Sequence, residues 1–142
     1  MLAAYSRKFD DKKTRAMDLI REVKAGKREL YTPSTLMDIV TSWKIEYLRK
    51  KIKKFFAVYS TEIVSAERIN KIASNIGIDA NILKDKFVEI GIKEEDSFLV
   101  IIASLLDLEL KTFNKKHLIS KRTEINKILK ESNLNEISIS EP

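Results

Sequence analysis

The sequence predicts a helix-rich α/β domain built on a mainly parallel sheet. Apolar residues recur at helical spacing along most of the chain, and short alternating or β-branched runs interrupt those helices. With 3 Gly and 2 Pro in 142 residues, no interdomain linker is marked, so 1–142 reads as a single domain. Helices alternating with short strands imply a layered α/β arrangement, and a chain of this length encloses a real core.

The elements follow in order. Asp10 or Asp11 caps a first helix that runs to about Ala25, with Ala16, Leu19, Ile20 and Val23 on its apolar stripe and Gly26 closing it. Glu29–Thr32 is a short strand. Pro33 opens a long helix, because its fixed φ and missing N–H suit a first turn. Leu36, Ile39, Val40, Trp43, Tyr47, Ile52 and Phe55 form that helix's stripe, and Val58–Ser60 is a second strand. Helices over about 66–75 and 80–90 end at Gly77 and Gly91. Asp96 or Ser97 caps the apolar helix 98–106, and Leu108–Thr112 alternates like a strand edge. An amphipathic helix over 121–130 leads through Asn133 to a terminal strand at 136–140, with Ile137 and Ile139 on one face. About four strands are found where four to six are expected, so one element is missing from the sheet.

Composition narrows the chemistry. A chain that is 44% hydrophobic and 34% charged is a folding, water-soluble one. The absence of cysteine excludes a disulfide framework, a thiolate zinc site and a cysteine nucleophile, and a single histidine, His117, excludes a two-histidine metalloprotease motif. No apolar run approaches the ~18 residues of a membrane span, and Met1 opens no signal peptide, so the expected compartment is the cytoplasm, with no membrane partner. Lys and Arg total 27 against 21 Asp and Glu, a net charge of +6 that favours polyanions such as nucleic acid.

Ligands of parallel α/β sheets sit beyond the carboxyl ends of the strands. Asp38, one turn into the helix after the first strand, Asp96 before the strand at 108–112, and Asn114 just past it all meet that rule. Such oxygen donors suit Mg²⁺ or Mn²⁺. Singly, each has a plainer reading: Asp38 as a first-turn acid, Asp96 as an N-cap, Asn114 as a turn residue.

The stretch from Asp96 through Ala103, Thr112 and Asn114 to Leu118 resembles the C-terminal half of a PIN domain. There an acidic residue opens an apolar helix, and a short strand ends in Thr, any residue, then Asp or Asn. Glu29–Asp38 is similar to that family's second strand and helix, with Asp38 where a Glu usually stands, and Glu136–Pro142 resembles its closing strand. The resemblance implies a three-layer α/β/α PIN-like fold and a metal-dependent ribonuclease, often the toxin of a toxin–antitoxin pair. It implies Asp38, Asp96 and Asn114 as ligands of Mg or Mn, with Thr112 supporting them at the catalytic centre. RNA is then the substrate, an antitoxin protein a partner, and a homodimer the assembly. Clustered carboxylates would hold metal ions that activate water and neutralise charge on the phosphate.

One departure cuts against activity. The family begins with a central strand ending in its most constant Asp, and nothing in this sequence corresponds to it; Met1–Tyr5 looks like the start of the helix that follows. Either the fold repacks or is completed by another chain, or a longer product carries the strand. Two carboxylates and an amide make a thin cage, so weak metal binding and weak or lost nuclease activity are expected, with a non-catalytic nucleic-acid-binding or protein-interaction module as the alternative.

Lys44, Arg49, Lys50, Lys51, Lys53 and Lys54 crowd the long helix, with Tyr47, Phe55 and Phe56 among them. They read either as a phosphate-tracking face with base stacking or as a solvated face whose aromatics pack into the core or a dimer partner. Lys115 and Lys116 beside His117 add cations near Asn114. Nucleic-acid contacts are expected from Lys44, Arg49, Lys50, Lys53, Lys115 and Lys116.

Overall fold

A computed structural model describes residues 7–142, with side chains from Thr14 onward. The expectation for Met1–Tyr5 lies outside those residues. The described chain is helix-rich α/β, and contacts divide it into two compact units. The first reaches Thr32 and resumes over Leu36–Ile63, while the second is chiefly Val64–Glu141.

The first unit holds α1 (Arg7–Lys24), α2 (Ser34–Thr41) and α3 (Glu46–Tyr59). Asp10 and Asp11 lie inside α1, so neither caps it. The strand expected at 29–32 forms as β1 (Tyr31–Pro33), and the second strand forms as β2 (Glu62–Val64), not at 58–60, where Val58 and Tyr59 complete α3. β1 pairs with β2 in a two-stranded ladder. Beside it, Thr61 N–H donates to Leu30 O at 2.7 Å, and the buried Thr32 hydroxyl meets Ser60 Oγ at 2.6 Å.

Pro33 ends β1 directly before the first residue of α2, and the expected long helix is two helices. The break has a local cause. Thr41 Oγ1 donates back to Met37 O, Ser42 Oγ donates to Ile39 O, and Trp43 N–H closes a tight turn on Val40 O. Hydroxyls that satisfy terminal carbonyls compete with helix continuation. Arg49 then donates to Trp43 O at 2.8 Å, fixing the start of α3 against the end of α2.

The second unit holds α4 (Ala66–Asn75), α5 (Ala80–Glu89), α6 (Glu94–Leu105), β3 (Leu110–Lys111), a 3-10 turn at Ile119–Lys121, α7 (Arg122–Glu131) and β4 (Ile139–Ser140). Ser65 accepts from Arg68 N–H to cap α4, and Asp79 accepts from Asn81 and Ile82 N–H to cap α5. α6 packs against both α4 and α5. Its residues Val100–Ser104 are all buried, so the helix is enclosed on every side at its middle. Phe87, Ile69, Ile92, Leu118, Ile125 and Leu129 complete the core.

Four helices of this unit stop the same way. Gly77, Gly91, Asp107 and Asn133 have φ of 76°, 91°, 55° and 57°, and the next residue's N–H reaches five residues back, as Ile92 does to Phe87 O at 3.1 Å. The two glycines were expected stops and Asn133 was expected in the connection after the last helix; Asp107 is a stop that sequence reasoning did not name.

β3 and β4 run parallel, Leu110 opposite Ile139. The strands thus form two separate two-stranded ladders among the described residues where one sheet was expected. The β3–β4 ladder is held at its flanks. Asn126 pairs with the Ile137 backbone through both amide atoms, at 3.0 and 2.8 Å, and Ser104 Oγ donates to Asn135 O at 2.6 Å.

Candidate functional site

Two places in the chain carry chemistry, one in each unit. In the second, the first turn of α6 meets the turn after β3. Asp96 is not the cap of α6: the helix starts at Glu94 and Lys93 occupies the cap position, leaving Asp96 one residue short of a full turn inside. Its half-buried carboxylate accepts from Asn114 Nδ2 at 3.4 Å. Thr112 Oγ1 accepts from Asn114 N–H at 3.1 Å, which turns the chain back toward α6. Thr112, Asn114 and Asp96 are therefore brought together as the motif implied.

The direction of the Asn114 amide decides what this pair can do. His117 N–H donates to Asn114 Oδ1 at 3.1 Å. A backbone N–H needs an acceptor, so that end of the amide is oxygen, and the end facing Asp96 is the NH₂ donor. A cation would need the oxygen instead. The carboxylate and the amide satisfy one another, and this donor set fits Mg²⁺ or Mn²⁺ poorly. Among the described residues no three His, Asp or Glu side chains gather where they would hold a metal ion. Asp38 stands in the first unit as an exposed carboxylate on α2.

Burial pushes the Asp96 carboxyl above its usual range; Lys93 and His117 pull it down, and Glu95 adds to the rise. An acid with a raised pKa binds its proton more tightly when folded than when unfolded. Its contribution to stability is present at low pH and is lost as pH rises through the folded value. Asp96→Asn is therefore expected to raise the melting temperature at neutral pH. The gain should vanish as pH falls below the ordinary carboxylate range, which melting curves of both proteins across pH will measure.

Lys115 and Lys116 follow Asn114. Lys115 Nζ lies 3.1 Å from Glu141, and the exposed Lys116 extends from the same turn. His117 serves the site through its backbone N–H.

The second place is α3. Its six expected cations divide by role. Arg49 is committed to Trp43 O, Lys50 pairs with Glu46 at 2.8 Å, Lys53 is half-buried and Lys44 precedes the helix. Lys51 and Lys54 instead line a groove with Lys24 of α1, alongside Ile20, Phe55, Val58 and Tyr59. No residue of α3 is buried, and Tyr47 is 71% exposed, so the aromatics do not enter a core. Lys24 carried no sequence signal and Val58 was expected in a strand; Lys51, Lys54 and Phe55 were expected on the basic helix where they lie. Comparison of the chain with known protein families, with characterised proteins and with solved structures gave no match.

Proposed function

We propose that this chain is a PIN-like, RNA-binding protein whose metal-dependent nuclease centre is reduced to an internally satisfied Asp96–Asn114 pair. The observation that carries this reading is the orientation of the Asn114 amide, held by His117 N–H with its donor toward Asp96. In the family resembled, that place holds acidic ligands around a cation; here an amide donor faces the Asp96 carboxylate instead. The parallel β3–β4 ladder, with Thr112 and Asn114 at its end and α6 before it, supports a PIN-like three-layer fold. A basic surface with exposed aromatics supports RNA as the ligand, the chain's net charge being +6.

The second reading, a Mg- or Mn-dependent ribonuclease of low activity and toxin type, draws support from the convergence of Thr112, Asn114 and Asp96. In that case Asp96 would hold the metal, which would activate water. Cytoplasmic residence, an antitoxin partner and homodimerisation belong to this same proposal. Among the described residues no helix is long and apolar enough to cross a membrane.

Gel-shift and cleavage assays on a structured RNA separate the two. RNA bound equally in EDTA and in Mg²⁺, and left intact, is expected. Cleavage in Mn²⁺ that disappears in Asp96→Ala would establish the nuclease instead.

A further inference from the structure

We infer that the α1–α3 groove of the first unit is a binding site for an unpaired stretch of RNA, seating a base on its aromatic floor. This rests on the RNA reading above and goes beyond it in naming the place and the strandedness.

The groove has a volume of about 300 Å³. Ile20, Phe55, Val58 and Tyr59 give it an apolar floor, and Lys24, Lys51 and Lys54 stand around it. The rings are ordered along α3: Phe55 lies 5.6 Å from Phe56 and 5.4 Å from Tyr59, centroid to centroid. Tyr59 is 39% exposed and Val58 60%, so part of this floor faces solvent. Lys24 Nζ sits 5.9 Å from the Phe55 ring and 5.8 Å from the Tyr59 ring, and Lys51 Nζ sits 5.8 Å from the Tyr47 ring.

The groove's charge is open to an external anion. Elsewhere in this unit Arg21 pairs with Asp18, Arg28 with Glu22 and Lys50 with Glu46, while Lys27, Lys44 and Lys53 have no acid partner among the described residues. Among the described residues, Lys24, Lys51 and Lys54 pair with none. Three ammonium groups without acid partners beside a cluster of tilted rings match a ligand that carries regular negative charge and flat faces. A duplex offers the charge but hides its base faces in the stack, whereas a single strand presents both. An acidic peptide would answer the lysines and leave the rings without a stacking partner.

The test uses the whole chain and a single-stranded oligoadenylate of about 12 nucleotides carrying 2-aminopurine, with the same strand in duplex form. The single strand should bind more tightly than the duplex, and its 2-aminopurine fluorescence should be quenched by stacking. Tyr59→Leu should weaken binding about tenfold and leave the salt dependence unchanged, while Tyr59→Trp, which keeps a ring, should retain the affinity. Replacing Lys24, Lys51 and Lys54 together by Gln should lower the slope of log affinity against log salt by about 2, at roughly 0.7 per lost phosphate contact. Equal binding of the duplex overturns the inference. So does unchanged binding in the groove variants when replacing Lys50, Lys53 and Lys116 weakens it, an outcome that leaves the RNA reading standing. Failure to bind any RNA ends both, and capture of a Glu-rich amphipathic peptide by the groove in that case assigns it to a protein partner.

Discussion

Phe87→Ala is expected to destabilise the second unit by about 3–5 kcal/mol, the cost of removing a fully buried aromatic ring and leaving its cavity. Phe87 is 0% exposed on α5, at that helix's packing against α6, and its carbonyl also accepts the Ile92 N–H that closes the helix. A loss of that size is a large part of the 5–15 kcal/mol that holds a typical domain. Denaturant unfolding will measure it, with Phe87→Leu as the comparison at a smaller cost. A loss below about 1 kcal/mol in Phe87→Ala would mean that α5 and α6 are not packed as described.

The second large effect concerns the site itself. Asn114→Asp sets a second carboxylate against Asp96, where the amide nitrogen now lies 3.4 Å from the Asp96 oxygen. Two carboxylates sharing a site cannot both ionise freely, and the half-exposed position limits the penalty to about 1–2 kcal/mol in EDTA. The same change supplies the oxygen ligand that the natural amide withholds. Mn²⁺ should then stabilise N114D by mass action, about 2.7 kcal/mol at a hundred times its dissociation constant. Melting curves in EDTA and in Mn²⁺ will read both halves of this expectation. A variant that is as stable as the parent in EDTA and indifferent to Mn²⁺ would show that positions 96 and 114 do not face each other.

What could be read from the sequence was what local rules determine. α4, α5 and α7 fall within a residue of their expected bounds, because glycine stops and helical spacing are both local signals. The split between α2 and α3 escaped, because the apolar stripe from Leu36 to Phe55 continues at helical spacing through a break made by Thr41 and Ser42 hydroxyls. Displacing the second strand from 58–60 to Glu62–Val64 follows from the same miscount of where helix ends. At the site, the PIN resemblance implied that Asp96, Thr112 and Asn114 meet, and it named Asp38 with them; the first three come together, and Asp38 stands on α2 of the first unit. The amide's direction was not legible, because it depends on a backbone N–H three residues further on. Lys24 was hidden for a related reason: it joins Lys51 and Lys54 only because the end of α1 lies beside α3, an approach of residues far apart in sequence.

Thermal unfolding of the unmodified protein during Mn²⁺ titration reads whether Asp96, facing the Asn114 amide, has a use for a cation. The melting temperature is expected to stay level through millimolar Mn²⁺, with Asp96→Asn behaving alike. A rise at micromolar Mn²⁺ that Asp96→Asn abolishes would contradict it and make this pair a metal centre.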